Sequence, residues 1–85
     1  MKLLVEIVVK RKKGVSDPEG NTISEALQRL GYDSIDKVRT AKLFSIEIDA
    51  DNLADAKKTV MEIADKVLAN PVIENFSIID IEEMN

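Results

Sequence analysis

The stretch Met1-Lys2-Leu3-Leu4-Val5-Glu6-Ile7-Val8-Val9-Lys10 decides the fold. Leu3, Val5, Ile7 and Val9 recur at period two, so they share one face of a β-strand, with Lys2, Glu6 and Lys10 opposite. That opposite face is not clean, because Leu4 and Val8 lie on it too. A strand greasy on both sides needs cover on both sides. Glu6 in the middle of the run also argues against a signal peptide. No apolar run reaches the ~20 residues of a membrane span. The expected location is therefore cytoplasmic, with no membrane partner.

Beyond this strand the chain turns and becomes helical. Gly14-Val15-Ser16-Asp17-Pro18-Glu19-Gly20 reads as a turn leading into a helix start. Asp17 suits the N-cap and Pro18 the first helical position. Ile23, Ala26, Leu27 and Leu30 follow at helical spacing, and Gly31 suits a left-handed C-terminal cap. Thr22-x-x-Glu25 offers a second possible start as a capping box. Residues 35–49 read as extended, with Phe44, Ile46 and Ile48 on one face and Leu43 among polar residues on the other. Arg39-Thr40-Ala41-Lys42 either bends this segment or divides it. Asn52 then caps a second helix whose stripe is Leu53, Ala56, Val60, Ile63 and Val67. Asn70 before Pro71 ends it. The last strand, about 72–82, changes parity between Ile78 and Ile79, the pattern of a β-bulge or of a strand crossing between two sheets.

The order β-α-β-α-β predicts a single α+β domain over residues 1–85: a two-layer sandwich with both helices on one face of a small sheet. Two helical stripes leave the second sheet face wet, yet Leu4, Val8, Leu43 and residues of the last strand lie there. Burying five such side chains represents a gross gain on the order of 10 kcal/mol. The expected outcome is self-association through Leu4, Val8 and Leu43, as a dimer or tetramer. An 85-residue chain with no cysteine has no disulfide staples, and oligomerisation is the usual substitute.

Composition excludes more than it assigns. With no histidine and no cysteine, the commonest general base and the thiolate nucleophile are absent, and the serines lack an activating imidazole. No catalytic residue and no metal ligand is expected: Asp49 and Asp51 with Asn52 lack the glycine and glutamate of a calcium loop. The net charge is −4. It divides into +3 over residues 1–42 and −7 over residues 43–85, counted from nine cations against six anions and three against ten. Lys10-Arg11-Lys12-Lys13 is the one basic run, without interleaved aromatics. With Phe44 and Phe76 as the only phenylalanines, no nucleic-acid partner is expected.

Four local patterns then converge. They are Lys13-Gly14-Val15-x-Asp17-Pro18-x-Gly20, Leu30-Gly31-Tyr32, Val38-Arg39-x-x-Lys42 and Leu68-Ala69-Asn70-Pro71-Val72-Ile73-Glu74. In this order and spacing the chain resembles the PurS family, the small subunits of phosphoribosylformylglycinamidine synthase, over essentially its whole length. One departure is Ala41, where many members have glycine.

The resemblance implies a non-catalytic assembly subunit of an ATP- and glutamine-dependent ligase in purine biosynthesis. It would bridge the large synthetase subunit, PurL, and the glutaminase subunit, PurQ. Ammonia from glutamine would then reach the amide that ATP activates. It implies no cofactor on this chain, with ATP and Mg used by the complex. Arg39 and Lys42 are the expected polar partner contacts, since a guanidinium fork suits a carboxylate, and Tyr32 is a candidate interface anchor. The alternative from the residues is a small oligomeric regulatory module that binds a ligand between subunits.

Overall fold

The computed structural model describes residues 1–84. Strand β1 (Lys2–Arg11) lies in the centre of a sheet of order β2-β1-β3, antiparallel to β2 (Ala41–Asp49) on one side and to β3 (Glu74–Met84) on the other. The α+β class and the β-α-β-α-β order are as expected. The centre of the sheet falls to the strand whose two faces are both apolar, because it alone has strand neighbours along both edges.

Leu3, Val5, Ile7 and Val9 are buried, and they meet Ile48, Ile46 and Phe44 across β2 and Ile81, Ile78 and Phe76 across β3. The change of parity in β3 is a real register shift. Glu6 pairs with Asp80 and Ile7 with Ile78, leaving Ile79 as the extra residue. The bulge lets Ile78 and Ile81 reach the same face, which strict alternation forbids.

Helix α2 (Leu53–Ile63) closes this face. Asn52 Oδ1 accepts from the Asp55 N–H at 2.8 Å, as an N-cap should. Ala56, Val60 and Ala64 are fully buried against the sheet. The small side chains let the helix approach closely. The expected stripe fails at both ends, where Leu53 is 45% and Val67 75% exposed. Residues Ala64–Leu68 form a π turn, with the Ala69 N–H donating to the Ala64 carbonyl at 2.9 Å. The wider turn rotates the helix face, so Leu68 and Ala69 point inward in place of Val67.

Helix α1 (Pro18–Arg29) starts at Pro18, and the alternative capping box is not used: the Thr22 hydroxyl donates back to the Pro18 carbonyl at 3.0 Å. It ends in a Schellman turn. Gly31, at φ +94°, donates to Gln28, and Tyr32 donates to Leu27. Its only buried residue is Gly20, and none of its side chains joins the hydrophobic core. The extended region expected over 35–49 is a strand only from Ala41 onward; residues 35–40 are irregular. The molecule is elongated and thin, 51 × 30 × 14 Å.

Candidate functional site: the sheet end around Asp17 and the uncovered sheet face

Where β1 ends and β2 begins, the chain brings three distant segments together. Asp17 is 1% exposed, and its carboxylate gathers them. It accepts from the Gly20 N–H at 3.0 Å, the Thr40 N–H at 2.6 Å and the Thr40 hydroxyl at 2.9 Å. The Arg11 guanidinium lies 3.3 Å away and also donates to the Thr40 hydroxyl at 3.3 Å. The Thr40 N–H, then the Gly20 N–H, hold the carboxyl down to about 2 from an ordinary 3.8, against the opposing effect of burial. Asp17 is therefore the charged centre of a clamp between β1, α1 and β2.

Gly20 belongs to the clamp through its missing side chain. A Cβ there would collide with the Val38 carbonyl oxygen, so glycine permits the first turn of α1 to lie on the segment before β2. One turn later the Ser24 hydroxyl oxygen accepts from the Val38 N–H at 2.8 Å.

The residues expected to meet partners lie around this clamp. Arg39 is exposed, but its guanidinium is committed in part: it donates to the Val15 carbonyl at 2.8 Å and the Lys12 carbonyl at 3.4 Å, bracing the loop after β1. Lys42, the second residue of β2, pairs with Val9. It lines a cavity of about 320 Å³ with Arg11, Glu19, Thr40 and Glu74, so its walls carry both signs. Tyr32, whose N–H closes the Schellman turn, is 57% exposed. Ala41 begins β2 beside Lys10 without positive φ, so alanine is accommodated there.

Leu4 and Val8 are half-buried and Leu43 is 55% exposed, on the sheet face turned away from α2. Val8 and Leu43 are direct cross-strand neighbours, whereas Leu4 lies between Glu47 and Glu82. Phe44 and Phe76 pack against the core on the other face. The roles of Arg11 and Thr40 escaped the reading of the sequence. Asp17 carries a local capping signal, but its bond to Thr40 spans 23 residues and leaves no periodic trace. Among the described residues, no group of three or more His, Cys, Asp or Glu side chains is placed to hold a metal ion, and no helix is long and apolar enough to cross a membrane.

The family model PurS, phosphoribosylformylglycinamidine (FGAM) synthase, matches residues 4–83. The chain belongs to the PurS family. The phosphoribosylformylglycinamidine synthase subunit PurS of Archaeoglobus fulgidus is 39% identical over 77 residues, 91% of this chain and 96% of the relative. The crystal structure of Methanocaldococcus jannaschii PurS superposes with a TM-score of 0.82 at 39% identity, covering 100% of both chains. The chain is also similar to one in the structure of PurLQS from Thermotoga maritima, with a TM-score of 0.79 at 28% identity over 99% of this chain and 100% of that one. PurS proteins are subunits of a ligase of purine biosynthesis, FGAM synthase, and this chain is a subunit of that kind.

Proposed function

We propose that the chain acts without catalytic groups of its own, holding the synthetase subunit PurL and the glutaminase subunit PurQ together. Ammonia released from glutamine then reaches the amide activated by ATP and Mg within the complex. The observation that carries this reading is the match of the whole fold to a chain found in a PurLQS structure. The chemistry of the surface supports it. Exposed apolar side chains lie on the sheet face (Leu43), at the α1 end (Leu30, Tyr32) and in the turn before β3 (Val72), which suits a molecule that touches several neighbours.

In this reading Arg39, Lys42 and Tyr32 contact a larger subunit, and Leu4, Val8 and Leu43 contribute to self-association in the cytoplasm. Arg39 is well suited because the Val15 and Lys12 carbonyls hold its guanidinium in place, which lowers the ordering cost of docking. The test is reconstitution. PurL and PurQ should form product from glutamine only when this chain is added, and the chain alone should show neither glutaminase nor synthetase activity. Full glutamine-dependent turnover by the two large subunits without it overturns the proposal.

A further inference from the structure

The basic run Lys10-Arg11-Lys12-Lys13 has no part in the assembly role. Folding brings its first two residues to one place with Arg39, from the segment before β2. Lys10, Arg11, Arg39, Thr40 and Ala41 line an open cavity of about 320 Å³ at the end of the sheet. No carboxylate is in its walls. Three other cavities on the molecule each include at least one, from Glu19 and Glu74, from Glu47 and Asp49, or from Glu83. A concave surface lined by charges of one sign concentrates ions of the other.

The three cations are not equivalent. Arg11 lies 3.3 Å from the buried carboxylate of Asp17, which is outside the cavity walls, so the charges of that pair nearly cancel. Arg39 is held by neutral acceptors, the Val15 carbonyl at 2.8 Å and the Lys12 carbonyl at 3.4 Å. These fix its guanidinium without neutralising it, and they leave most of its N–H donors free. Lys10 is exposed, and among the described residues neither it nor Arg39 pairs with a carboxylate. Two uncompensated charges therefore line one space, and one of them is already ordered.

We infer that this cavity binds a phosphate dianion, free or as the terminal group of a phosphate monoester. Such a group carries nearly two negative charges at neutral pH, because its second pKa is about 6. It balances both Lys10 and Arg39, whereas a carboxylate balances only one. The planar fork of Arg39 suits two phosphate oxygens at once, and the Lys10 ammonium suits another. Ala41 is the small wall residue that keeps the space open. The adjacent cavity shares Arg11, Thr40 and Ala41 and adds Glu19 and Glu74, which would accept from hydroxyl groups on the organic part of a monoester.

The site belongs to the isolated chain and does not rest on the assembly role, so either can fail without the other. The test is titration of the full chain with inorganic phosphate at low ionic strength, followed by amide NMR shifts. The Thr40 and Ala41 amides should shift together and saturate with a Kd on the order of 1 mM, as an open site for so small an ion allows. Arg39→Gln should weaken binding about tenfold and Lys10→Gln about fivefold. Lys10 braces nothing, so its variant stands even if Arg39→Gln loosens the loop after β1. Ala41→Ile keeps every charge, fills the space and suits a strand, and it should weaken binding by about tenfold or more. Lys58→Gln, on α2, should bind like the parent, and the amide spectrum of each variant away from the cavity establishes that the fold is kept. Ribose 5-phosphate should shift the same amides. Tighter binding than inorganic phosphate identifies a monoester as the ligand, and equal binding a free ion. Acetate at the same ionic strength should bind at least about fivefold more weakly than phosphate. If acetate binds as well as phosphate, or Lys10→Gln and Ala41→Ile bind phosphate like the parent, only diffuse surface charge is present and the site is overturned.

Discussion

The two helices carry similar apolar stripes and meet different fates. Helix α2 presses Ala56, Val60 and Ala64 onto the sheet until no solvent reaches them. Helix α1 places Ile23, Ala26, Leu27 and Leu30 at the same kind of spacing, yet Ile23 is 39% and Leu30 73% exposed. What holds α1 is polar: a cap carboxylate, a hydroxyl and a glycine lying against the segment before β2. Amphipathicity shows that a helix has a side to hide, but not that its own chain provides the cover.

The comparison is easiest to break in the core under α2. Ile7 is fully buried at the centre of β1, between Phe44 and Ile78. Ile7→Ala should cost about 2–5 kcal/mol by removing buried methyl groups and leaving a cavity, measured by urea denaturation. A loss below about 1 kcal/mol would mean that the sheet face under α2 is not closely packed.

On the α1 side the largest effect should come from Gly20. Gly20→Ala gains helix propensity but drives its new methyl group against the Val38 carbonyl, which is backbone and cannot swing away. Overpacking of this kind costs about 1–3 kcal/mol against roughly 1 kcal/mol of propensity gained. A modest net destabilisation is expected, with hydrogen exchange accelerated in α1 and unchanged in β1. A stabilised variant would show that α1 is free to lift from the clamp.

Asp17 sharpens the same contrast through pH. Its folded pKa, lowered to about 2, lies below its ordinary 3.8 because the Thr40 and Gly20 N–H groups, with the Arg11 charge, favour the carboxylate. The unfolded chain therefore binds more protons than the folded one between these values. The stability Asp17 contributes is complete above about pH 4 and is lost as pH falls toward 2. Asp17→Asn should lower the melting temperature at neutral pH, and the gap between variant and parent should narrow as the pH is taken from 5 to 2.5. A constant gap would mean that capping geometry, not the carboxylate charge, makes the clamp.

Much of this architecture was legible in the chain. The period-two pattern of β1, the proline and glycine that bracket α1, and the parity change that becomes the Ile79 bulge are all local, so they survive in the sequence. Two features were not. The π turn at Ala64–Leu68 alters the helical period itself, and a stripe drawn at the usual spacing therefore runs off at Val67. The clamp joins Asp17 to Thr40 and Arg11 through folding in three dimensions, and a single aspartate before a proline looks the same whether it caps a helix or organises a sheet end. The uncovered face was legible as surplus, since Leu4, Val8 and Leu43 cannot all be hidden by two helices. Its division needed the register: only pairing of Leu4 with Glu47 and Glu82 separates it from Val8 and Leu43.

The smallest effect on the isolated chain should come from the exposed end of α1, and it separates stability from assembly. Leu30 and Tyr32 have mostly exposed side chains, so truncating either should change stability by no more than about 0.5 kcal/mol, as surface substitutions that leave the cap's backbone bonds in place usually do. Their backbones form the Schellman turn whatever their side chains, because the bonds run from the Gly31 and Tyr32 N–H groups to main-chain carbonyls. Leu30→Ala with Tyr32→Ala should therefore melt with the parent. If this end of α1 meets a larger subunit, the same pair of changes should weaken binding to PurL and PurQ by about tenfold or more, measured by titration of the reconstituted complex, since a buried aromatic and its neighbour commonly dominate an interface. Unchanged binding would place the partner elsewhere and leave the stripe of α1 as ordinary surface. A large loss of stability in the isolated chain would instead mean that α1 covers its own sheet after all, and the contrast between the two helices would disappear.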